Sequence, residues 1–145
     1  MLKSFWFWFI IVLIGIQFIY VNVPAKIESN PEYEIKAPKE IMSILKHSCY
    51  DCHSNESTYP WYDRIAPVSW FVKTHVKNGR KVVNFSLWNS YEIKKQKFFI
   101  DKLGKSIVIR MPMPSYLWLH PEAKLSNEER KQLEAWGEKL KEKIK

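Results

Sequence analysis

Both cysteines of this 145-residue chain lie in one short stretch, CYDCH, at positions 49–53. Cys49 and Cys52 are three positions apart, and His53 follows directly. This is the C-x-x-C-H pattern typical of c-type haem attachment. Two thiols at this spacing can reach the two vinyl groups on one edge of a porphyrin, while the adjacent imidazole binds the iron. The stretch predicts one haem c (iron) per chain, with Cys49 and Cys52 as covalent attachment points and His53 as the proximal iron ligand.

Three other chemistries compete for these residues. A disulfide between Cys49 and Cys52 would close a very small loop and stabilise the chain little. A thioredoxin-like redox pair needs a preceding strand in a βαβ setting, which the sequence does not predict. A zinc site could recruit His47, His53 or His75, but the usual second ligand pair is missing. Haem attachment is therefore favoured.

The N-terminal stretch from Ser4 to Val23 is apolar and carries no formal charge. Its length suits a membrane-spanning helix, which needs about 17 to 25 residues. Lys3, beside the terminal amine, favours a cytoplasmic start. The stretch predicts a single-pass anchor in the cytoplasmic membrane, with the rest of the chain on the periplasmic side. A signal peptide cleaved near Val23-Pro24-Ala25 is the alternative, although the apolar run is longer than usual for one.

The remaining chain divides into a linker and a helical domain. Prolines and acidic residues without a steady period indicate a tether over residues 25–37. We therefore predict an anchor or signal at 1–24, a linker at 25–37 and a haem-binding domain at 38–145. Apolar residues at helical spacing predict helices near residues 41–49, 68–78, 93–107 and 126–144.

Two details of these helices bear on function. The second helix carries His75 on its apolar face and has an Asn78-Gly79 stop signal. The last helix begins with a capping box, in which Ser126 is followed three residues later by Glu129. No convincing strand pair is present, so the predicted fold class is all-α.

Composition narrows the function classes. The chain has seven Trp, four Gly and a formal net charge of +8. So many aromatic residues and so few glycines argue against disorder. The positive charge suits an acidic partner or an anionic surface. No interleaved basic and aromatic motif indicates nucleic-acid binding, so no nucleic-acid partner is expected.

Three segments carry a resemblance to a known family. ILKHSCYDCHSNESTYPWY, the later NF and MPMPSYLWLHPEAKLS resemble the haem-binding domain family of membrane-anchored bacterial proteins. The order of C-x-x-C-H, Met-Pro and a final helix is also similar to small monohaem c-type cytochromes. The resemblance covers nearly the whole domain after the linker. It implies a small cytochrome c-like helical domain around one haem, preceded by one transmembrane helix.

The sixth iron ligand is expected in the segment RMPMP. Met111 and Met113 each precede a proline and are therefore biased toward extended backbone. Residues two apart in an extended chain share a face, so both side chains can point toward the haem, although only one can reach the iron. The resemblance aligns the Met-Pro of the family with Met111-Pro112. Met111 is the predicted distal ligand, and Met113 and His75 remain alternatives.

These features predict an electron carrier rather than an enzyme. An iron held by His53 and a methionine changes oxidation state without needing a substrate pocket. Its partners would be a redox protein of unknown identity and, through the N-terminal helix, the membrane. The alternative is a haem-based sensor or a peroxidase-like enzyme with an open distal site. Carbon monoxide binding by the reduced protein would separate the two.

Overall fold

The computed structural model describes residues 2–144. Met1, the first residue of the predicted anchor or signal, and Lys145, the last residue of the predicted haem-binding domain, lie outside the described residues. The α-helices are α1 (Leu2–Gly15), α2 (Lys39–Ser48), α3 (Tyr50–His53), α4 (Val68–Val82), α5 (Ile93–Ile109), α6 (Pro114–Leu117) and α7 (Asn127–Lys143). Short 3-10 helices lie at Ile16–Phe18, Pro31–Tyr33, Trp61–Arg64, Phe85–Ser90 and Pro121–Ala123. Over the described residues the chain is all-helical, and its extended pairing is limited to one antiparallel bridge, Lys26 with Glu56.

The prediction of a membrane-spanning N-terminal helix is wrong. Within residues 2–144, no helix combines the length and the apolar character needed to cross a bilayer. Helix α1 has 14 residues, which span about 21 Å, against about 30 Å of hydrocarbon. After Gly15 the chain passes into the 3-10 helix Ile16–Phe18. There the Gln17 amide bonds to both backbone groups of Ala66, and the Trp70 indole N–H donates to the Ile19 carbonyl just beyond it. The predicted single-pass location in the membrane is wrong for the same reason.

Residues 23–27 form a strap across the segment that follows CYDCH. The Ile27 N–H donates to the Asn55 carbonyl at 2.9 Å, and the Ser57 N–H donates to the Ala25 carbonyl at 2.8 Å. The Arg80 guanidinium joins the strap to the segment after CYDCH. It donates to four oxygen atoms, which belong to Pro24, Ala25, Ser54 and Ser57. The division of the chain at residues 25–37 stays a prediction, but the strap is held by specific bonds.

The core lies mainly between α2, α5 and α7. Leu45 on α2 and Leu133 on α7 are fully buried, and Ile100 and Ile107 present the inner face of α5 to the same cluster. Helices α5 and α7 pack on each other, while α4 packs on α3 and on the 3-10 helix at Trp61–Arg64. Residues of α4 and α5 both line a cavity beside this core.

Of the two helix-end signals read from the sequence, one is confirmed and the other is wrong. The capping box of α7 is present, since the Ser126 hydroxyl accepts the Glu129 N–H and the Glu129 carboxylate accepts the Ser126 N–H. The stop at Asn78-Gly79 is wrong, because α4 continues to Val82 and Gly79 has ordinary helical backbone. Gly79 is required there for a different reason, which lies in the site.

Candidate functional site

The CYDCH stretch turns its three reactive side chains toward one side. Cys49 interrupts the helix with φ −127°, separating α2 from α3. The Cys52 and His53 N–H groups then both donate to the Cys49 carbonyl, at 3.2 and 2.9 Å. Residues three and four apart lie on the same face of such a turn. Cys49, Cys52 and His53 consequently border one cavity, and both thiols are free.

The two thiols are protonated at neutral pH. Burial raises the pKa of Cys49 to about 12, and proximity to Cys52 adds to the rise. Burial also raises the pKa of Cys52 to about 11, with a further contribution from the Asp51 carboxylate. Each sulfur therefore sits in an apolar setting as a neutral S–H group.

The orientation of His53 is fixed by the backbone of α4. Its Nδ1–H donates to the Gly79 carbonyl at 3.1 Å and to the Val83 carbonyl at 3.2 Å. Burial lowers the pKa of His53, while these two bonds act in the opposite direction. A neutral imidazole that donates through Nδ1 keeps its lone pair on Nε2. This is the arrangement that orients a histidine for iron or another metal.

Gly79 allows α4 to approach this close to α3. A Cβ atom at position 79 would lie 2.4 Å from the Cys52 carbonyl oxygen. No real Cβ contact is that short, so a side chain here would force the two helices apart. Gly79 also supplies a carbonyl acceptor to His53. The close approach of α4 to α3, which requires glycine at position 79, therefore also brings this acceptor to the histidine.

The cavity has a volume of about 810 Å³. Ligand pockets in proteins are typically about 300–1,000 Å³, so this one is large for a chain of this length. Its walls come from α3 to α7 and are mostly apolar. All six residues proposed as attachment or ligand positions border it, namely Cys49, Cys52, His53, His75, Met111 and Met113.

Residues 110–113, the methionine segment, join α5 to α6, and both methionines border the cavity. The Met111 N–H donates to the Ser106 carbonyl at 2.9 Å, which continues from the end of α5. Met113 has extended backbone (φ −63°, ψ 138°), and its carbonyl accepts the N–H groups of Tyr116 and Leu117 in α6. Both methionine side chains are half-buried at the cavity.

A family model described as the haem-binding domain matches residues 11–139. The chain belongs to this family. Searches of curated proteins and of solved structures gave no match. The match shows that this is a haem-binding domain; its likeness to cytochrome c is suggested only by the order of the motifs.

The cavity of this haem-binding domain fits a haem. Its volume and apolar walls suit a large flat ring, His53 presents a free Nε2, and two neutral thiols stand beside it. A zinc site fits less well. Within the part of the chain that the structure describes, no three His, Cys, Asp or Glu side chains lie close enough together to hold a metal ion.

His75 borders the haem cavity from α4. Its Nδ1–H donates to the Phe71 carbonyl at 2.8 Å, and its ring packs against Phe71 with centroids 4.0 Å apart. Like His53, it keeps a lone pair on Nε2. It lies one turn before Gly79, on the same helix whose carbonyls orient His53. Met111 and Met113 reach the same cavity from a different segment of the chain.

The two other histidines do not border the cavity. His120 uses both nitrogen atoms, Nδ1 with the Glu122 carboxylate at 2.9 Å and Nε2 with the Tyr62 hydroxyl at 2.7 Å. His47 is exposed and bonds to the Glu122 carbonyl. Neither has a nitrogen directed to a haem.

Sequence reasoning did not single out Asp51 or Tyr116. The Tyr116 hydroxyl donates to Asp51 Oδ2 at 2.7 Å, and Asp51 Oδ1 accepts the Thr58 N–H at 2.9 Å. Both residues line the cavity. Asp51 could have been noticed as the acidic residue inside CYDCH. Nothing in the sequence pairs it with a tyrosine 65 positions away.

Proposed function

We propose that this haem-binding domain is c-type, with one haem held by thioethers from Cys49 and Cys52 and with His53 Nε2 as an iron ligand. The observation that carries the proposal is the pair of bonds from His53 Nδ1 to the α4 carbonyls. They leave Nε2 as the free donor of a ring that stands beside two free thiols at one cavity. A bound haem would supply an iron that gains or loses one electron.

Met111 is the proposed second axial ligand. The backbone bond of Met111 to Ser106 continues the end of α5 and holds this residue at the cavity. The thioether sulfur is a soft, uncharged donor that suits haem iron opposite an imidazole and raises the reduction potential. Met113 contributes apolar surface to the same cavity.

The proposed role is electron transfer to and from a protein partner, and not catalysis. With protein donors on both sides of the ring, the iron would have no free position for a substrate. The domain would then need only an accessible ring edge and a docking surface. This proposal is supported by the ligand set and by the mostly apolar lining of the cavity.

Covalent attachment is tested by denaturing electrophoresis and haem staining of protein made in a host with haem-attachment machinery. The wild-type band should stain, because thioether bonds survive denaturation. Cys49→Ala and Cys52→Ala should each weaken the stain, and the double variant should abolish it. A wild-type band that loses its haem on denaturation would contradict c-type attachment while leaving haem binding intact.

The axial ligand is tested by the visible spectrum. Oxidised methionine-ligated haem has a weak absorption near the red end that bis-histidine ligation lacks. Met111→Ala should remove it and allow the reduced protein to bind carbon monoxide. Met113→Ala, a matched change two residues away, should alter neither property. Bis-histidine ligation would be shown if Met111→Ala keeps the wild-type spectrum while His75→Ala becomes high-spin. Ready binding of carbon monoxide by the wild-type protein would instead indicate an open-site sensor or peroxidase-like protein.

A further inference from the structure

Asp51 lies between the two cysteines in the sequence, and both of its carboxylate oxygen atoms accept hydrogen bonds. One oxygen accepts the backbone N–H of Thr58 and the other accepts the phenol of Tyr116. Asp51 thus ties the attachment stretch to two other parts of the cavity wall.

Tyr116 belongs to the segment that carries both methionines. Its N–H donates to the Met113 carbonyl at 3.0 Å, so its backbone is one turn from the candidate ligands. Among the described residues, the Tyr116 hydroxyl makes the one side-chain hydrogen bond of residues 111–119. The position of this segment relative to the attachment stretch therefore depends on the bond to Asp51 and on packing.

The Tyr116 ring is itself immobilised. It stacks on His120 with centroids 4.3 Å apart and an interplanar angle of 14°. His120 is held in turn by Tyr62 and Glu122 through its two nitrogen atoms. Because the ring cannot swing freely, the hydroxyl is presented to Asp51 in one direction, which makes the pair a rigid link.

We propose that Asp51 and Tyr116 are positioning residues for the sixth iron ligand. Their bond joins the stretch that fixes the proximal side of the haem to the segment that supplies the distal methionine. Breaking it lets residues 111–113 move away from the ring, so a smaller fraction of molecules has methionine on iron. The inference rests on the proposed methionine ligation, but neither residue touches the iron.

Tyr116→Phe tests this by removing the hydroxyl and keeping the stacked ring. We expect the haem stain to be retained, the weak absorption near the red end to fall, and the apparent affinity of the reduced protein for carbon monoxide to rise about tenfold. Tyr59→Phe is the matched control. It removes another phenol at the same cavity, but one that donates to the Val23 carbonyl and contacts neither Asp51 nor His120 through its hydroxyl, so carbon monoxide affinity should stay within about twofold of wild type.

A double-mutant cycle separates positioning from general destabilisation. Asp51→Ala removes the same bond from its other end, so adding Tyr116→Phe to it should change carbon monoxide affinity no further. A tenfold effect that persists in the Asp51→Ala background would overturn the inference, as would equal effects of Tyr116→Phe and Tyr59→Phe. If Tyr116→Phe does not accumulate, Asp51→Ala alone must show the increase.

Failure of the underlying function gives a different result. A wild-type protein without the methionine absorption, and with free access of carbon monoxide, would remove both methionine ligation and this inference. A wild-type protein with that absorption, unchanged in Tyr116→Phe, would overturn the positioning role alone.

Discussion

The two walls of the haem cavity are built in different ways. On the attachment wall, formed by CYDCH and α4, the His53 imidazole bonds to the Gly79 and Val83 carbonyls, and Arg80 bonds to Pro24 and Ala25 of the strap. On the methionine wall, residues 111–119 rely on local backbone turns and on one phenol. His53 is thus oriented by side-chain bonds to distant backbone, whereas Met111 and Met113 are positioned by the turns of a short segment.

This difference indicates where variation is tolerated. A buried network loses several bonds when one member is removed, and each unsatisfied group adds its own cost. A segment held by turns can shift while the core stays folded. Substitutions on the attachment wall should therefore reduce the free energy of unfolding, and those on the methionine wall should mainly change the spectrum.

The largest effect is expected from Gly79→Ala. Its Cβ would lie 2.4 Å from the Cys52 carbonyl, so α3 and α4 must separate. Overpacking of this kind costs about 1–3 kcal/mol, and this contact belongs at the upper end. Urea unfolding of the haem-loaded protein should show the loss, together with less haem stain because His53 loses its acceptors.

Gly104→Ala is the matched control on α5. The nearest atom to its Cβ would be the Glu134 Oε1 at 3.3 Å, the far end of a flexible side chain. Alanine is favoured over glycine in a helix by about 1 kcal/mol. Gly104→Ala should be neutral or stabilising, and a loss as large as that of Gly79→Ala would mean that close approach is not what distinguishes position 79.

Arg80→Ala should have the next largest effect. It removes bonds to Ser54, Pro24, Ala25 and Ser57 and takes away the donor of the Ser54 and Pro24 carbonyls. We expect a loss of about 2 kcal/mol in the free energy of unfolding. Lys81→Ala, a change at the exposed neighbour, should stay within about 0.5 kcal/mol. Equal losses for the two variants would show that the strap contributes little.

The smallest effect concerns α7, which supports the methionine wall through α5. Ser126→Ala removes the helix cap and should cost about 1 kcal/mol without changing the visible spectrum. The Ser126 N–H holds the pKa of Glu129 below its usual range. A carboxylate with a lowered pKa stabilises the fold above its unfolded pKa of about 4.3 and loses that contribution as pH falls through the folded value.

This pH dependence has its own check. The stabilisation of wild type relative to Glu129→Gln, measured by urea unfolding, should shrink between pH 5 and more acidic solution, about where carboxylates titrate. Glutamine keeps an acceptor oxygen but does not titrate there. A difference between the two proteins that stays constant over that range would contradict an ionised Glu129 in the cap.

The features that sequence reasoning predicted well are those whose residues are neighbours in the chain. CYDCH, the Ser126 capping box and the apolar spacing of α5 each act within a turn or two, so their geometry follows from spacing alone. Those that it got wrong or did not find depend on distant partners. Gly79 has a stop signal that tertiary packing overrides, and Asp51 meets Tyr116 only after the chain has folded. The predicted spanning stretch runs to Val23, whereas α1 ends at Gly15 and the following residues Gln17 and Ile19 bond to the turn before α4 and to α4.

The strap also sets an order of events for any processing of the N-terminus. The carbonyl of Ala25 accepts N–H groups from Ser57 and Arg80, and the carbonyl of Val23 accepts the Tyr59 hydroxyl. A protease must draw a segment into extended form in its own active site, which these bonds oppose. Cleavage between Ala25 and Lys26 is therefore expected to be faster before folding than after it. A protease added to the native protein should cut this exposed but hydrogen-bonded segment more slowly than it cuts the unfolded chain.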